Sequence, residues 1–537
     1  MGVLAGLGLV LVVVASVAGV PTGRVQDQNG PAFRWCVPKE LLDDCTRLTV
    51  VALVPIGCVA GIDRIDCLRK VQNRQADFVL ADPEDAYVAS HFNNQDFVVF
   101  SEVRSAEEPT APFRYEGIML VRVADGFTSL ADLRGKRSCH TGFGRNVGYK
   151  IPVARLLRAG ILKLPVGDDA LSPVERELAG LSELFSASCL PGTYSTDAGV
   201  ESLLKDRYSS LCQRCSNPQQ CAKDDKYAGY GGAIRCLVEN GGDVAFTKTI
   251  FVRKYFGLPV TPGGTAAPAL NPDARAADYA YLCEDGTTRP IADGTPVCSW
   301  AQRPWQVLLG NGDLSGDAVR ELQAFGQRLH RLWTDAKVSD EDRAAAKRLG
   351  IEANAPLFDR PETVAPRDYL ARAHYDEVIE REGRYSNVLR VCVASEAERQ
   401  KCEVLRQAAY SRDIRPALQC VLRGDDACVA AVRDGSDADA TVLRQPSVLL
   451  TPVMWETFGD SEHHGDRAAI YVRNDVNDAL KDSIVHAFTG ISDAFGRGKS
   501  KEQVFRLFGP FRLQNGEQQS NLLFHDDGTG LTINKQS

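Results

Sequence analysis

Beyond residue 19 the sequence lacks any apolar run long enough to cross a bilayer, so no later membrane span is expected. It also lacks an excess of basic residues. The formal net charge is −8 and the pI is about 5.7, which argues against nucleic acid as the main partner. No GxSxG or HExxH motif is present and no Cys–His nucleophile is expected in an oxidising setting, so we expect no enzyme activity. No Asn-x-Ser/Thr sequon occurs, so N-glycans are not expected.

Residues 1–19 are the one strongly apolar stretch. They end in small residues near Ala18 and are followed by the turn-forming Pro21-Thr22-Gly23. This pattern predicts a signal peptide and a secreted, extracellular protein, and an uncleaved membrane anchor is the weaker alternative because the run is short. The polar residues 530–537 exclude a glycosylphosphatidylinositol signal.

Sixteen cysteines in an exported chain predict up to eight disulfides. The alternative is a zinc site at Cys212, Cys215 and Cys221. Zinc is the less favoured reading because an oxidising compartment favours disulfides and no histidine lies close in the sequence.

The cysteines also reveal an internal repeat. Two quartets have similar spacing, and each suits a nested pair of disulfides around a strand–helix–strand unit. Residues 76–80 (ADFVL) parallel residues 438–442 (ADATV) after the two quartets, so the 537-residue chain is predicted to hold two related lobes. The quartets are Cys36, Cys45, Cys58 and Cys67, and Cys392, Cys402, Cys420 and Cys428.

Short apolar runs alternate with amphipathic helical stretches, which predicts an α/β fold with mixed sheets. Residues 48–54, 97–100 and 117–123 are predicted strands, whereas 130–133, 153–157 and 318–322 are predicted helices.

Two unusual strings carry the chemistry. Residues 227–236 (YAGYGGAIRC) place the phenol of Tyr230 beside a glycine turn. Residues 140–149 (HTGFGRNVGY) offer a hydroxyl, an arginine and bare N–H groups where a helix begins, a combination that suits a small anion. A phenolate is a hard ligand for a highly charged cation, so a ferric ion bound with carbonate would use both strings.

These strings, together with residues 242–246 (GDVAF), resemble those of the transferrin family, and the resemblance to the insect-type secreted members is strongest. The resemblance implies a bilobal transferrin-like fold of the periplasmic-binding-protein-like type II. Each full lobe would contain two α/β subdomains. It implies an N-lobe over 31–345, with one subdomain from 31–113 plus about 304–345 and the other from 114–303. A linker over 346–370 and a truncated C-lobe over 371–537 would follow.

The resemblance further implies that Asp82, Tyr115 and Tyr230 are the ferric-ion ligands. Asp82 has an alternative role as a helix cap before Pro83, and Tyr115 as a packing residue that opens a strand. Both phenols would have to lose protons, which a trivalent cation can enforce.

Carbonate would be held by Thr141 and Arg145 and by the N–H groups of Val147 and Gly148. A simple surface charge is the alternative for Arg145. Where the family usually has a histidine ligand, this chain has Gln306. Gln306 would bind weakly, bond through water or leave its place to a second anion, and none of these gives the acid release that a histidine provides.

Lys248 matches one member of a family lysine pair. Its partner cannot be placed, so we expect a surface lysine, with a place beside the metal site as the alternative. The position parallel to Asp82 in the second lobe is Arg444, and that lobe lacks both strings. We therefore expect no second site, and we interpret His463-His464 as an exposed loop pair rather than a metal site.

The disulfides implied by the family are Cys36–Cys67, Cys45–Cys58, Cys139–Cys236, Cys189–Cys215, Cys212–Cys221, Cys283–Cys298, Cys392–Cys428 and Cys402–Cys420.

The expected function is that of a secreted, monomeric carrier of one Fe3+ with synergistic carbonate, which transports iron or withholds it from microbes. Two alternatives stay open. One is an iron-free scaffold of the same fold that binds a protein partner, and the other is a binding protein for a small anion alone.

Overall fold

The computed structural model describes residues 32–52, 55–105, 108–165, 171–196, 198–260, 264–292, 294–334, 338–351, 357–381, 388–459 and 467–534. The predicted signal peptide and the pair His463-His464 lie outside these residues. None of the described helices combines the length and apolar character needed to cross a membrane.

The chain begins with alternating strands and helices. Residues 48–54 were predicted to form a strand, but 48–51 form the last turns of a helix. That prediction was wrong because Cys45, Leu48 and Thr49 are buried at helical spacing, so this stretch packs against the core as a helix. The elements are β1 (Phe33–Pro38), α1 (Leu42–Val51), β2 (Ile56–Gly61), α2 (Arg64–Gln72), β3 (Phe78–Ala81), α3 (Pro83–Asn93) and β4 (Phe97–Val103).

The next part of the chain folds around a second sheet. Its elements are β5 (Tyr115–Arg122), β6 (Arg137–Cys139), α4 (Ile151–Arg158), α5 (Pro173–Leu184), β7 (Ala187–Cys189), α6 (Ala198–Arg207), α7 (Gly229–Glu239), β8 (Val244–Lys248), α8 (Thr249–Tyr255), β9 (Tyr279–Leu282), β10 (Thr288–Pro290) and β11 (Ala301–Arg303).

The chain then returns to the first sheet. Residues 346–370 were predicted to be a linker, but part of this stretch forms a strand of that sheet, antiparallel to β4. The linker prediction was therefore wrong for this strand, since its backbone completes the edge that β4 leaves open. The elements are β12 (Gln306–Asn311), α9 (Gly316–Thr334), α10 (Asp340–Arg348), β13 (Leu357–Val364), α11 (Pro366–Ala371) and α12 (Tyr375–Ile379).

The last part of the chain builds a third sheet and a separate two-stranded sheet. Its elements are β14 (Val388–Val393), α13 (Glu396–Ser411), β15 (Ala417–Leu422), α14 (Asp425–Asp434), β16 (Ala440–Leu443), β17 (Leu450–Phe458), β18 (Ala469–Arg473), α15 (Asp478–Phe495), β19 (Phe511–Arg512), β20 (Gln518–Gln519) and β21 (Gly528–Ile533).

Within the described residues the sheets are mixed, as predicted. The first sheet has the order β13-β4-β12-β3-β1-β2 and the third has the order β15-β14-β16-β18-β17-β21. The second has the order β10-β9-β5-β8-β6-β7, with β11 paired to β5. The central parallel strand β3 is buried along its whole length, which is typical of a sheet covered by helices on both faces.

The three sheets share one local device. A central strand is flanked by two parallel neighbours, and its arginine donates both its backbone N–H and its guanidinium to an aspartate that precedes one neighbour. The N–H bond is 2.8 Å in each case. The pairs are Arg34–Asp77, Arg137–Asp243 and Arg390–Asp439. Asp77 and Asp439 belong to the two matching segments of the predicted repeat. The repeat is therefore seen in the structure as well as in the sequence.

Eight disulfides brace these units, and they are the same eight pairs that the family resemblance implies. No cysteine in the described part of the chain is free. The zinc alternative at Cys212, Cys215 and Cys221 was wrong, because disulfide sulfurs offer no thiolate to a metal.

Candidate functional site

A cleft lies where the chain crosses twice between the first and second sheets. The first crossing leads from β4 to β5 and the second from β11 to β12. The two crossings run side by side, since Tyr115 pairs with Arg303 and Gln306 pairs with Val103. Residues at these crossings therefore face both halves of the cleft.

The two predicted phenols meet at one lysine. Tyr115 opens β5 and Tyr230 lies in the first turn of α7, after Gly229 in the left-handed region at φ 79°. Lys248 Nζ lies 4.0 Å from the ring centroid of Tyr115 and 4.1 Å from that of Tyr230. The expectation that Lys248 is a surface lysine was therefore wrong, because its ammonium is held over two aromatic faces.

Burial governs the ionisation of this group. It raises the pKa of Tyr115 to about 12, against the opposing effects of the Arg303 charge and the hydrogen bond from Asn146. Burial also raises the pKa of Tyr230, which the charges of Arg145, Arg114 and Arg303 oppose. Burial lowers the pKa of Lys248 to about 8, and the Arg114 charge adds to this. The phenols are thus protonated at neutral pH in the absence of a bound cation.

The predicted anion string forms a helix start. Arg145 is the N-cap of a π-helical turn over Asn146–Lys150 that continues into α4. The first N–H groups of this helix, including those of Val147 and Gly148, have no acceptor within the helix. They lie at the positive end of the helix dipole. Arg145 is exposed, yet its charge reaches Tyr230. The string therefore combines a guanidinium with free backbone donors.

Thr141 and Gly148 fit together at this helix start. Within the described residues, the buried Thr141 Oγ1 has no hydrogen-bond partner. A Cβ on Gly148 would lie 2.0 Å from Thr141 Oγ1 and 2.4 Å from Thr141 N, so only glycine lets the threonine approach. An unsatisfied buried hydroxyl beside free N–H groups suits an oxyanion such as carbonate.

Three further contacts brace the string. His140 Nδ1 lies 2.7 Å from the carbonyl oxygen of Gly148, and burial lowers the His140 pKa to about 4, so the neutral ring donates to that oxygen. The Cys139–Cys236 disulfide joins β6 to α7 and thereby ties the anion string to the helix of Tyr230. Gly229 N also donates to Thr141 O at 2.8 Å.

Asp82 follows β3 and is the N-cap of α3, so its alternative role as a helix cap is real. Arg64 Nη2 donates to Asp82 Oδ2 at 2.6 Å, and Gln306 Nε2 donates to Asp82 Oδ1 at 2.7 Å. Burial alone would raise the Asp82 pKa, but Arg64, Gln306 and two more distant arginines hold it well below its usual range. Both carboxylate oxygens thus have partners, and neither partner is a phenol.

Sequence reasoning missed a polar chain that joins the two halves. Arg303 Nη2 donates to both carboxylate oxygens of Glu84, at 2.8 and 3.1 Å, and Tyr375 OH donates to Glu84 at 2.7 Å. Asn146 Nδ2 lies 3.3 Å from Tyr375 OH and donates to Tyr115 OH at 2.6 Å. No local motif in the sequence placed Arg303 or Tyr375 here.

The described residues hold one cluster of cysteine, histidine and acidic side chains with metal-site spacing, at Cys189, Cys215 and Asp225. Cys189 and Cys215 are bonded to each other, so this cluster is not a metal site. In the third sheet, the residue that follows β16 is Arg444, and its guanidinium donates to the carbonyl of Asn521. The third sheet thus has the positively charged side chain of Arg444 where the first sheet has the carboxylate of Asp82.

Comparison with known proteins agrees with this fold. The transferrin family model matches residues 33–329. Three insect proteins, each named transferrin, are similar over most of the chain. The protein from Sarcophaga peregrina is 45% identical over 80% of this chain and 67% of its own length. The protein from Manduca sexta is 42% identical over 80% and 63%, and that from Blaberus discoidalis is 41% identical over 82% and 60%.

This chain thus spans about 60–67% of the length of these relatives. Among solved structures, that of transferrin 1 from Manduca sexta matches with a TM-score of 0.82 and 30% identity, covering 94% of this chain and 97% of the other. The family model covers more than half of the sequence, and 94% of the chain aligns with a solved member. The chain belongs to the transferrin family.

Proposed function

We propose that the protein is a secreted carrier that binds one Fe3+ together with carbonate in the cleft between its first and second sheets. Tyr115 and Tyr230 supply phenolate oxygens, while Thr141, Arg145, Val147 and Gly148 hold the anion. Transport and sequestration of iron follow from tight binding, as the family resemblance implies. The eight disulfides support an extracellular location.

The observation that carries the proposal is the meeting of the two strings. Gly229 N donates to Thr141 O, the Arg145 charge acts on Tyr230, and Lys248 contacts both phenol rings. Two phenolates and a carbonate carry four negative charges, which a trivalent cation and the neighbouring guanidinium offset. The anion-only alternative leaves the paired phenols without a role.

Asp82 is a candidate third ligand. Its Oδ2 is held by Arg64, so Oδ1 is the oxygen that could turn to a metal, and Gln306 must then give up its hydrogen bond or turn with it. Gln306 is therefore proposed to orient Asp82 rather than to replace the family histidine as a ligand. Lys248 is proposed to stabilise the phenolates through its charge.

The test adds Fe3+, as a nitrilotriacetate complex, and bicarbonate to the purified full chain, and follows the visible phenolate-to-iron absorption band. We expect a band that saturates near one iron per chain and requires bicarbonate. Tyr115→Phe and Tyr230→Phe should each abolish it or shift and weaken it strongly, because each removes one phenolate.

Tyr281→Phe is the matched control. Tyr281 is buried on β9 of the same half, and within the described residues its hydroxyl has no hydrogen-bond partner, so its loss should not change the band. Absence of any band in the wild-type protein would defeat the proposal. Saturation near two irons per chain would contradict the single site, and a band that survives in Tyr230→Phe would exclude that tyrosine as a ligand.

A further inference from the structure

The third unit is the part of the chain that builds the third sheet, from β14 to β21. One of its turns lies against both halves of the cleft. Helix α13 ends at Ser411, and the next two residues, Arg412 and Asp413, carry opposite charges. Together with Lys150, Asn146, Arg303 and Glu84 they line one cavity of about 200 Å3 behind the cleft. The end of α13 thus reaches a place where the two halves of the cleft face each other.

The backbone there is fixed by hydrogen bonds. Asp413 N donates to Tyr410 O at 3.0 Å, and Ile414 N donates to Ala409 O at 3.0 Å, the arrangement of a Schellman helix end. Asp413 itself lies in the left-handed region at φ 67°, where most helices have glycine and where Asp and Asn are the best-tolerated other residues. A side chain at this strained position costs stability that glycine would avoid, so contacts made by the carboxylate must offset it.

Arg412 holds the first half. Its Nη2 donates to Asp85 Oδ1, and the Arg412 side chain is 8% exposed and that of Asp85 1% exposed. Asp85 lies in the first turn of α3, where its Oδ2 accepts from Asp82 N at 3.0 Å and pairs with Arg64 at 2.9 Å. The Arg412 contact therefore ends on the helix whose N-cap is Asp82.

Asp413 holds the second half. Lys150 Nζ lies 3.2 Å from Asp413 Oδ2, with both side chains at least four-fifths buried. Lys150 belongs to the π-helical turn that carries the proposed anion site, so this contact ends on the opposite wall of the cleft. Asp413 Oδ1 also accepts from Arg381, which pairs with Glu177 on α5 of the same half.

We propose that Arg412 and Asp413 form a latch that holds the two halves of the cleft together and so slows the loss of iron. The proposal rests on the function proposed above. Opening the cleft moves Asp85 away from Lys150, and a rigid helix end cannot follow both. One of the two partly buried ion pairs must therefore break, which leaves a desolvated charge without its partner. Arg412 and Asp413 are positioning residues, since neither contacts the proposed ligands of the metal.

The experiment compares release of iron to excess chelator at constant neutral pH, followed by loss of the visible band, in wild type, Lys150→Gln and Lys150→Arg. We expect Lys150→Gln to release iron about tenfold faster, near the lower end of the effect of losing one hydrogen bond between charged groups. Lys150→Arg keeps the charge and should restore a rate near that of wild type. Loss of the positive charge of Lys150 would by itself reduce the repulsion of Fe3+ and slow its release. Faster release would therefore support the latch and not this charge effect.

Arg512→Gln is the matched control. Arg512 Nε pairs with Asp66 Oδ1 at 3.0 Å, which also joins the third unit to the first sheet, but neither residue is among those that line the cavity. Its rate should equal that of wild type. The latch is overturned if Lys150→Gln releases iron at the wild-type rate or more slowly, or if Arg512→Gln speeds release equally.

Small-angle scattering of the iron-free full chain separates this inference from the proposed function. If no variant, wild type included, forms a band, the proposed function fails, but the latch still predicts a larger radius of gyration for Lys150→Gln than for wild type and Arg512→Gln. Equal radii in all three proteins would overturn the latch whether or not iron binds.

Discussion

Gly148→Ala is the sharpest probe of the anion site. Gly148 lies in the π-helical turn at the helix start, and its α-carbon faces Thr141. An added Cβ would lie 2.0 Å from Thr141 Oγ1, 2.4 Å from Thr141 N and 2.8 Å from Thr141 Cβ. Two of these three atoms cannot move by rotation of the side chain, so the backbone of the anion string has to shift.

The magnitude follows from the cost of overpacking. Inserting a methyl group into a well-packed site typically costs about 1–3 kcal/mol. If this cost falls on the anion-bound state, affinity for iron in the presence of bicarbonate falls by about tenfold to hundredfold, since about 1.4 kcal/mol corresponds to a factor of ten. The Thr141 hydroxyl and the free N–H groups are displaced together, so bicarbonate dependence should be lost along with affinity.

The assay is a competition titration with a chelator of known affinity, at several bicarbonate concentrations, with a thermal melt of the iron-free protein beside it. Gly231→Ala is the control: Gly231 follows Tyr230 in α7, and an added Cβ meets nothing within 4 Å. It should bind iron as wild type does. Our assignment of the anion site would be refuted if Gly148→Ala folds normally and keeps both the affinity and the bicarbonate dependence of wild type.

Two further predictions concern pH. Burial raises the pKa of Tyr115 to about 12, and that of Tyr230 is raised as well, so the proposed binding of iron requires the loss of both protons. Apparent affinity should therefore fall by about a hundredfold for each unit by which pH decreases, and a pH-independent affinity in competition titrations would exclude phenolate ligands. Gln306→His places an imidazole with an ordinary pKa of about 6.5 beside Asp82. It becomes cationic as pH falls and should raise the midpoint pH of iron release. An unmoved midpoint would show that residue 306 acts neither on Asp82 nor on the metal.

Local patterns in the sequence predicted the features that depend on local chemistry. Strings over 140–149 and 227–236 marked the helix start and the phenol because glycine, arginine and tyrosine at such spacing have few purely structural uses. Repeated cysteine quartets predicted the related units, and the structure adds the arginine–aspartate pair that each unit shares.

Features that depend on distant contacts were not predictable. Residues 48–51 have high strand propensity, yet they extend α1 because Cys45 and Leu48 pack into the core below the first sheet. Strand β13 was hidden within a charged, proline-containing stretch, since its position at the sheet edge comes from pairing with β4 and not from its own composition. Tyr375 enters the cleft from beyond the first lobe, and no local motif marks such a residue.

Asp82 and Arg444 follow equivalent strands of the first and third sheets, but their side chains carry opposite charges. Asp82 follows β3 and faces the cleft, where arginines and Gln306 stabilise its negative charge. Arg444 follows β16, and its guanidinium is satisfied by the Asn521 carbonyl within the same unit. A metal ligand there would need a change of charge, and the sequence of the third unit has no counterpart of the strings over 140–149 and 227–236. Arg444→Asp should therefore leave the stoichiometry at one iron per chain. The third unit would then affect iron through its contact with the first cleft, at the end of α13, and not by binding iron itself.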